Sequence, residues 1–200
     1  MKTGWALLLG ALSAAVVYEG AIQLSEIAER AKYWQLARAY CDAVEKPLLR
    51  IGIRRGPFEP PNGDVTLDVD TKVLDIPGGV HGDERAMPFR DKEFGIAFNE
   101  HTLEHLHTAE DVELSVNECR RVADYAILLC PSPYSWYASL FNPTHYLRLW
   151  FDPANNKIIV RPNNWNTGIG FVHEGDTGSI GKTTGQAMII YDPINIPAII

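Results

Sequence analysis

Residue types that bind metals are concentrated between Glu100 and His107, where two glutamates and three histidines occur. His101 and His105 are four positions apart, so a helix would present both imidazoles on one side, as a zinc site needs. The order H-x-x-x-H lacks the glutamate that follows the first histidine in H-E-x-x-H zinc sites. The sequence therefore predicts no metal site in this segment.

His145 is a further candidate for chemistry, because an imidazole titrates near neutral pH and can act as a general base. A histidine in such a position more often braces a loop through a hydrogen bond. The sequence assigns no catalytic residue beyond this one candidate.

The segment GDTGSIGKTT at 175–184 contains part of a phosphate-binding pattern. The pattern G-x-x-x-x-G-K-[ST] requires glycine at position 176, where the chain has Asp176. A strand-like run, QAMIIY, follows in place of the helix whose N-terminus would bind phosphate. We therefore expect a surface loop here, within a longer loop from Pro162 to Gly185.

The elements that must position these residues alternate between strands and helices. Apolar residues near helical spacing predict an amphipathic helix from Ser25 to Glu45 and another from Ala109 to Val122. Short β-rich runs predict strands at 48–53, 65–70, 80–82, 94–99, 125–130, 157–160 and 186–191. This alternation is typical of an open α/β sheet with right-handed crossovers.

The stretch from Gly82 to Pro133 resembles the type 11 family of S-adenosylmethionine-dependent methyltransferases. The family's motifs occur in order: an acid and a PF pair before a strand, then LEHL, then a helix ending in RV, then a buried strand. They are Asp83, Met87-Pro88-Phe89, FGIAFN, Leu103-Glu104-His105-Leu106, Arg120-Arg121-Val122 and YAILLC, with NPTHYLRLWF at 142–151 as a further family segment. The resemblance implies a small, truncated Rossmann-like methyltransferase sheet with flanking helices.

The resemblance also implies a cofactor site across the carboxyl ends of the first strands. A glycine-rich turn would lie beside the methionine moiety, an acid after the second strand would hold the ribose, and an acid after the third would meet the adenine amine. The implied residues are Gly52 and Gly56 of the turn, Asp68 or Asp70 for the ribose, Asp83 for the adenine, and Asn99.

The first motif departs from the family pattern G-x-G-x-G. Arg50 stands where the family has an acid, and Arg54 replaces the second glycine, where a side chain opposes close approach of the backbone to a ligand. Pro57, Pro60 and Pro61 leave no room for the family's next helix. The sequence therefore favours a domain that binds no cofactor, with S-adenosylmethionine as the cofactor if the domain is active.

The N-terminal run from Thr3 to Leu24 is nearly all apolar or small and is long enough to cross a bilayer. Three interpretations are open: a spanning helix, a cleaved signal peptide, and a buried helix of the domain. We expect a transmembrane anchor at 1–24, a connecting helix at 25–46 and the α/β domain at 47–200. Arg30, Lys32 and Arg38 follow the run, which places the domain in the cytoplasm of a single-pass membrane protein.

Composition narrows the class of partner. The formal net charge of −7 opposes a broad phosphate-binding surface, so nucleic acid is not expected as a partner. Cys41, Cys119 and Cys130 are widely spaced and indicate no disulfide framework.

Two functional hypotheses follow. The first is a non-catalytic methyltransferase-like domain that serves as an accessory or structural subunit of a membrane protein complex. The second is an active membrane-associated methyltransferase on a small or lipid-like substrate. An unrelated α/β binding module is a third interpretation, which a sheet without the parallel strand order would favour.

Overall fold

The structure, a computed structural model, describes residues 2–140, 142–152, 157–163, 171–173 and 187–191. In this part of the chain the helices are α1 (Lys2–Val44), α2 (Ala109–Val122) and α3 (Trp136–Leu140). The strands are β1 (Leu48–Ile51), β2 (Val65–Asp68), β3 (Gly79–His81), β4 (Phe94–Glu100), β5 (Ala123–Leu129), β6 (Leu147–Asp152), β7 (Lys157–Pro162), β8 (Phe171–His173) and β9 (Ala187–Tyr191). Short 3-10 helices lie at Thr71–Asp75 and Leu103–His105.

The main sheet has the strand order β3-β2-β1-β4-β5-β9. Its first five strands are parallel, and β9 pairs antiparallel with β5. From β1 the chain adds β2 and β3 on one side of the sheet, and then β4 and β5 on the other side. Ligands bind at such a switch point, here between β1 and β4, in open α/β sheets. The predicted α/β class with a Rossmann-like sheet is confirmed.

The sheet is covered on both faces by helices whose apolar positions have helical spacing. On one face, α2 buries Val112, Val116 and Cys119 against the sheet, and its N-terminus is capped by Thr108, which accepts a hydrogen bond from Asp111 N. On the other face, the second half of α1 buries Tyr33, Ala37 and Cys41 against β1 and β4. Every residue of β4 is buried, as expected of a central parallel strand.

A second, antiparallel sheet has the order β6-β7-β8. The alternately buried residues of β6, Leu147, Leu149 and Phe151, join the core on the α2 side. Within the loop predicted at 162–185, Phe171–His173 forms a short strand that pairs with β7. That strand is only three residues long, too short for a periodic signal in the sequence. The rest of that segment, including the phosphate-loop-like residues, and the tail after Tyr191 lie outside the described residues.

The N-terminal run and the predicted connecting helix form one helix of 43 residues. Glu19, which lies within the apolar run, is buried against the domain and accepts hydrogen bonds from Ser135 Oγ at 2.6 Å and Trp136 N at 3.1 Å. Among the residues that the structure describes, none of the helices combines the length and the hydropathy that a bilayer crossing requires. The predicted transmembrane helix at 1–24 is therefore not supported.

The first part of α1 nevertheless exposes large apolar side chains. Trp5, Leu9, Leu12, Val16 and Val17 are each more than half exposed. From Trp5 to Val17 this segment is about 20 Å long at 1.5 Å per residue. This segment therefore presents several large apolar side chains to its surroundings.

Candidate functional site at the carboxyl edge of the sheet

Gly52 is the turn at the end of β1 and lies at the switch point. Its φ of 90° is a conformation that side chains disfavour, and a Cβ there would be 2.9 Å from Thr102 Cγ2. Its N–H donates to the carbonyl oxygen of Leu67 at 2.8 Å, which joins the ends of β1 and β2. The structure thus brings the predicted residues Gly52, Asp68 and Asn99 to one edge of the sheet.

The acids after β2 are already engaged within the chain. Asp68 accepts hydrogen bonds from Ile53 N at 2.8 Å and from Asp70 N at 2.7 Å. Asp70 caps the 3-10 helix that follows by accepting from Lys72 N. The guanidinium of Arg55 lies 3.8 Å from Asp68 Oδ2 and 3.6 Å from Asp70 Oδ2. An internal cation therefore lies beside both acids of the expected ribose position.

Arg50 is fully buried in the middle of β1. Its Nη1 donates to the carbonyl oxygens of Pro60 and of Pro61, the latter at 2.8 Å. Its Nη2 lies 3.2 Å from Glu59 Oε2 and 3.1 Å from Glu100 Oε2. The segment between β1 and β2 is thus a loop held down by this guanidinium, as its three prolines predict. Gly56 lies in this loop, where a Cβ would be 3.3 Å from Glu59 Oε1.

Asp83 lies at the surface, in an ion pair with Arg85 at 2.6 Å. The hydrogen bonds from Arg85 hold the pKa of Asp83 below its usual range. Arg85 also binds Asp111 of α2 at 2.7 Å. The residue expected to meet the adenine is therefore part of a surface link between the β3 loop and α2.

The neighbouring Glu84 is the acid that points inward, and sequence reasoning missed it. Its Oε2 accepts hydrogen bonds from Asn99 Nδ2 and Ser115 Oγ, each at 2.7 Å, and from Thr102 Oγ1 at 3.0 Å. Burial raises the pKa of Glu84, and these three donors oppose the rise. The predicted cofactor residue Asn99 is itself fully buried and is used in this internal network.

A small cavity, large enough for about one water molecule, lies at the carboxyl end of β5. Its polar lining includes Glu104, Ser132, His145 and Arg148. Burial raises the pKa of Glu104 to about 8 and lowers the pKa of His145 to about 4. His145 is held by Ala138 O, 3.1 Å from its Nδ1, and its Nε2 lies 3.7 Å from Glu104 Oε1.

The histidines between Glu100 and His107 separate in the structure. His101 has a φ of 52° and its Nδ1 lies 3.8 Å from Glu104 Oε1. His107 packs against the ring of Tyr146 at a centroid distance of 4.3 Å. His105 turns instead towards His145, with 5.0 Å between ring centroids. The pair that meets is therefore not the i, i+4 pair that the sequence offers.

Comparison with known proteins agrees with the motifs. Residues 65–124 match the family model described as a methyltransferase domain. This segment runs from β2 into β5 and contains the LEHL motif.

Residues 65–124 therefore resemble a methyltransferase domain, and they lie within a Rossmann-like sheet.

The family resemblance predicted from the motifs is thereby confirmed. Similar solved structures include the PH0226 protein from Pyrococcus horikoshii OT3, which is 11% identical with a TM-score of 0.43, the alignment covering 82% of this chain and 91% of that one. A proposed methyltransferase from Bacillus halodurans is 21% identical with a TM-score of 0.32, over 48% of this chain and 46% of that one. A comparison with curated proteins gives no match.

The buried ion pair of the methyltransferase-like domain generates a first prediction. Arg50→Met removes one partner and leaves Glu100 with a poorly compensated buried charge, so it should lower the free energy of unfolding by about 3–5 kcal/mol. The double variant Arg50→Met, Glu100→Gln should lose less than the sum of the single variants, because the orphaned charge is gone. Urea unfolding measures both.

Arg54→Met is the matched control, because Arg54 is exposed and its guanidinium hydrogen bonds go to the loop carbonyls of Gly56 and Pro57. It should change stability by no more than about 0.5 kcal/mol. An Arg50→Met variant that is as stable as this control would contradict the role given to the buried pair.

Glu84 generates a second prediction, on pH. Its folded pKa is raised, so its contribution to stability is complete below the unfolded value of about 4.5 and is lost as the pH rises through the folded pKa. Glu84→Gln keeps an oxygen acceptor and cannot ionise. The difference in free energy of unfolding between this variant and the natural chain should therefore shift in favour of the variant as the pH increases above 4.5. Urea unfolding at a series of pH values measures this difference.

Glu84→Ala is the complementary variant. It leaves the donors of Asn99 and Ser115 without their acceptor, whereas Thr102 Oγ1 keeps Asn99 Oδ1, and it should cost about 3 kcal/mol at low pH. The cost should shrink as the pH rises, because the natural chain then loses the contribution of protonated Glu84. A Glu84→Gln variant whose stability tracks the natural chain at all pH values would show that Glu84 ionises as freely in the folded state as in the unfolded chain.

Proposed function

We propose that this methyltransferase-like domain is non-catalytic and serves as an accessory or structural subunit of a membrane-associated complex. The observation that carries the proposal is the position of Arg55, whose guanidinium lies beside both Asp68 and Asp70. A ribose that bound these acids would have to displace the exposed Arg55 guanidinium and the backbone donors that Asp68 already has. The residues present therefore do not fit S-adenosylmethionine in the position that the family implies.

The loop between β1 and β2 supports the same proposal. Arg50 fastens this loop through two carbonyl oxygens and Glu59, so the backbone is committed to contacts within the chain. Asn99 and Thr102 are likewise committed to Glu84. The polar groups at this edge thus have partners that a ligand would need to replace.

An active methyltransferase is the second candidate, and the cavity beside β5 favours it. This cavity lies at the carboxyl edge of the parallel sheet and is lined by the polar side chains of Glu104, His145 and Arg148. Ligands bind at this edge in open α/β sheets. The two candidates differ in whether the cofactor binds.

Isothermal titration of the full chain with S-adenosylmethionine and S-adenosylhomocysteine separates the candidates. The proposal predicts no heat of binding from a chain that unfolds cooperatively in a parallel thermal melt. Micromolar affinity, about −8 kcal/mol, that is abolished by Asp68→Ala but kept in the matched surface variant Asp75→Ala would favour the enzyme. Asp75 is suitable because it is exposed, at the end of the 3-10 helix that follows β2.

We further propose that the first part of α1 attaches the domain to a membrane and its partner subunits. The support is the exposure of Trp5, Leu9, Leu12, Val16 and Val17 along one projecting segment. Tyr134 and Leu140, near α3, are exposed as well and offer a second apolar surface for a protein partner. The formal net charge of −7 argues against nucleic acid as the partner.

Vesicle flotation tests the attachment. The full chain should float with phosphatidylcholine vesicles, and replacing Leu9, Leu12 and Val16 together with Ser should abolish flotation, since each buried apolar side chain contributes about 1.5–3 kcal/mol. The matched control replaces three exposed apolar residues elsewhere, Val69, Leu74 and Leu114, with Ser. Equal flotation of the two triple variants would refute attachment through α1.

A further inference from the structure

Glu104, His105 and His145 converge beside the cavity. Each offers one ligand atom, and these atoms all lie within 4.8 Å of one another. The first two residues belong to the 3-10 helix after β4, and His145 comes from the loop before β6. Ligands of one zinc ion lie about 3.3 Å apart at the usual bond lengths. The 3.7 Å between Glu104 Oε1 and His145 Nε2 is already close to that separation.

Hydrogen bonds at the far side of each imidazole fix its orientation. His105 Nδ1 lies 2.8 Å from Thr144 O, and His145 Nδ1 lies 3.1 Å from Ala138 O. A carbonyl oxygen only accepts, so both Nδ1 atoms carry the proton and both Nε2 atoms keep a lone pair. Metal-binding histidines are held in this way by a carbonyl behind the ring.

Glu104 supplies an independent observation. Its side chain is 2% exposed, and neither carboxylate oxygen receives a hydrogen bond within the described residues. A buried carboxylate without donors is costly, and a bound cation would remove that cost. Three further acids, Glu84, Glu26 and Glu100, lie near enough to raise the pKa of Glu104 further.

We propose that Glu104, His105 and His145 bind a Zn²⁺ ion. Two imidazoles and one carboxylate are a ligand set that zinc accepts, and three protein ligands leave the fourth tetrahedral position open. Glu104 and His145 also line the small cavity with Ser132 and Arg148, so a water there would be available to complete the coordination. The site does not depend on S-adenosylmethionine and is therefore independent of the function proposed above.

The side chain of Asn142 must move when the zinc ion binds. Its Nδ2 donates to His145 Nε2 at 2.7 Å, while its Oδ1 accepts from Thr144 N and Oγ1. The ion takes the lone pair that this amide occupies, so Asn142 moves aside. Asn142→Ala removes the competitor and should leave zinc affinity unchanged or tighter.

Equilibrium dialysis of the untagged, chelator-treated full chain against ZnSO₄ tests the site. The natural chain should bind one equivalent of zinc. Glu104→Gln, His105→Ala and His145→Ala should each weaken binding by about 100-fold, because loss of a residue that only supports a ligand already costs about 10–100-fold. His107→Ala is the matched control and should bind as the natural chain does. Circular dichroism establishes that each variant is folded.

Cobalt substitution gives a second readout that folding alone does not mimic. Co²⁺ should give the absorption of a tetrahedral site in the natural chain and the His107→Ala variant, and lose it in His145→Ala. Absence of stoichiometric zinc in the natural chain, or equal affinity of the His107→Ala and His145→Ala variants, would overturn the proposal.

Discussion

Arg50 carries a positive charge into the middle of the first strand, and the surrounding elements are arranged to compensate it. A guanidinium removed from water is costly unless carboxylates and carbonyl oxygens replace its hydration. Those partners come from Glu100 at the end of β4 and from Glu59, Pro60 and Pro61 in the loop before β2. The second oxygen of Glu100 meets Arg30 of α1 at 3.4 Å. One buried charge thereby connects a helix, two central strands and the loop that covers them.

The packing that holds the methyltransferase-like fold together does not depend on the residues at the expected cofactor site. The parallel order of β1, β4 and β5 depends on apolar packing with α1 and α2, which the changes at the strand ends do not touch. The loop after β1 contributes little to that core, so its sequence could diverge while the sheet stayed intact. A family fold is thus compatible with a first motif in which arginine side chains and prolines stand in place of the glycine turn and helix.

The parts predicted from the sequence are those whose signal is local. The buried strands β4 and β5 have continuous apolar runs, and α2 has its capping threonine and apolar stripe within one segment. The parts that were missed depend on distant partners: Glu19 binds Ser135, 116 positions away, and His105 is held by Thr144, 39 positions away. Local hydropathy therefore indicated a membrane span at 1–24, and local histidine spacing did not indicate that His105 and His145 lie side by side.

The acids at the carboxyl edge of the sheet lie in two opposite environments. Beside β2, Asp68 receives two backbone hydrogen bonds and lies near Arg55, so its charge is compensated within the chain. Beside β5, the carboxylate of Glu104 is buried next to the Nε2 atom of an imidazole and accepts no hydrogen bond among the described residues. A compensated acid gains little from an external ligand, whereas an uncompensated one gains more, reduced by the cost of releasing its proton. The electrostatic capacity to bind a charged ligand therefore lies at the second half of this edge, away from the position where the family holds its cofactor.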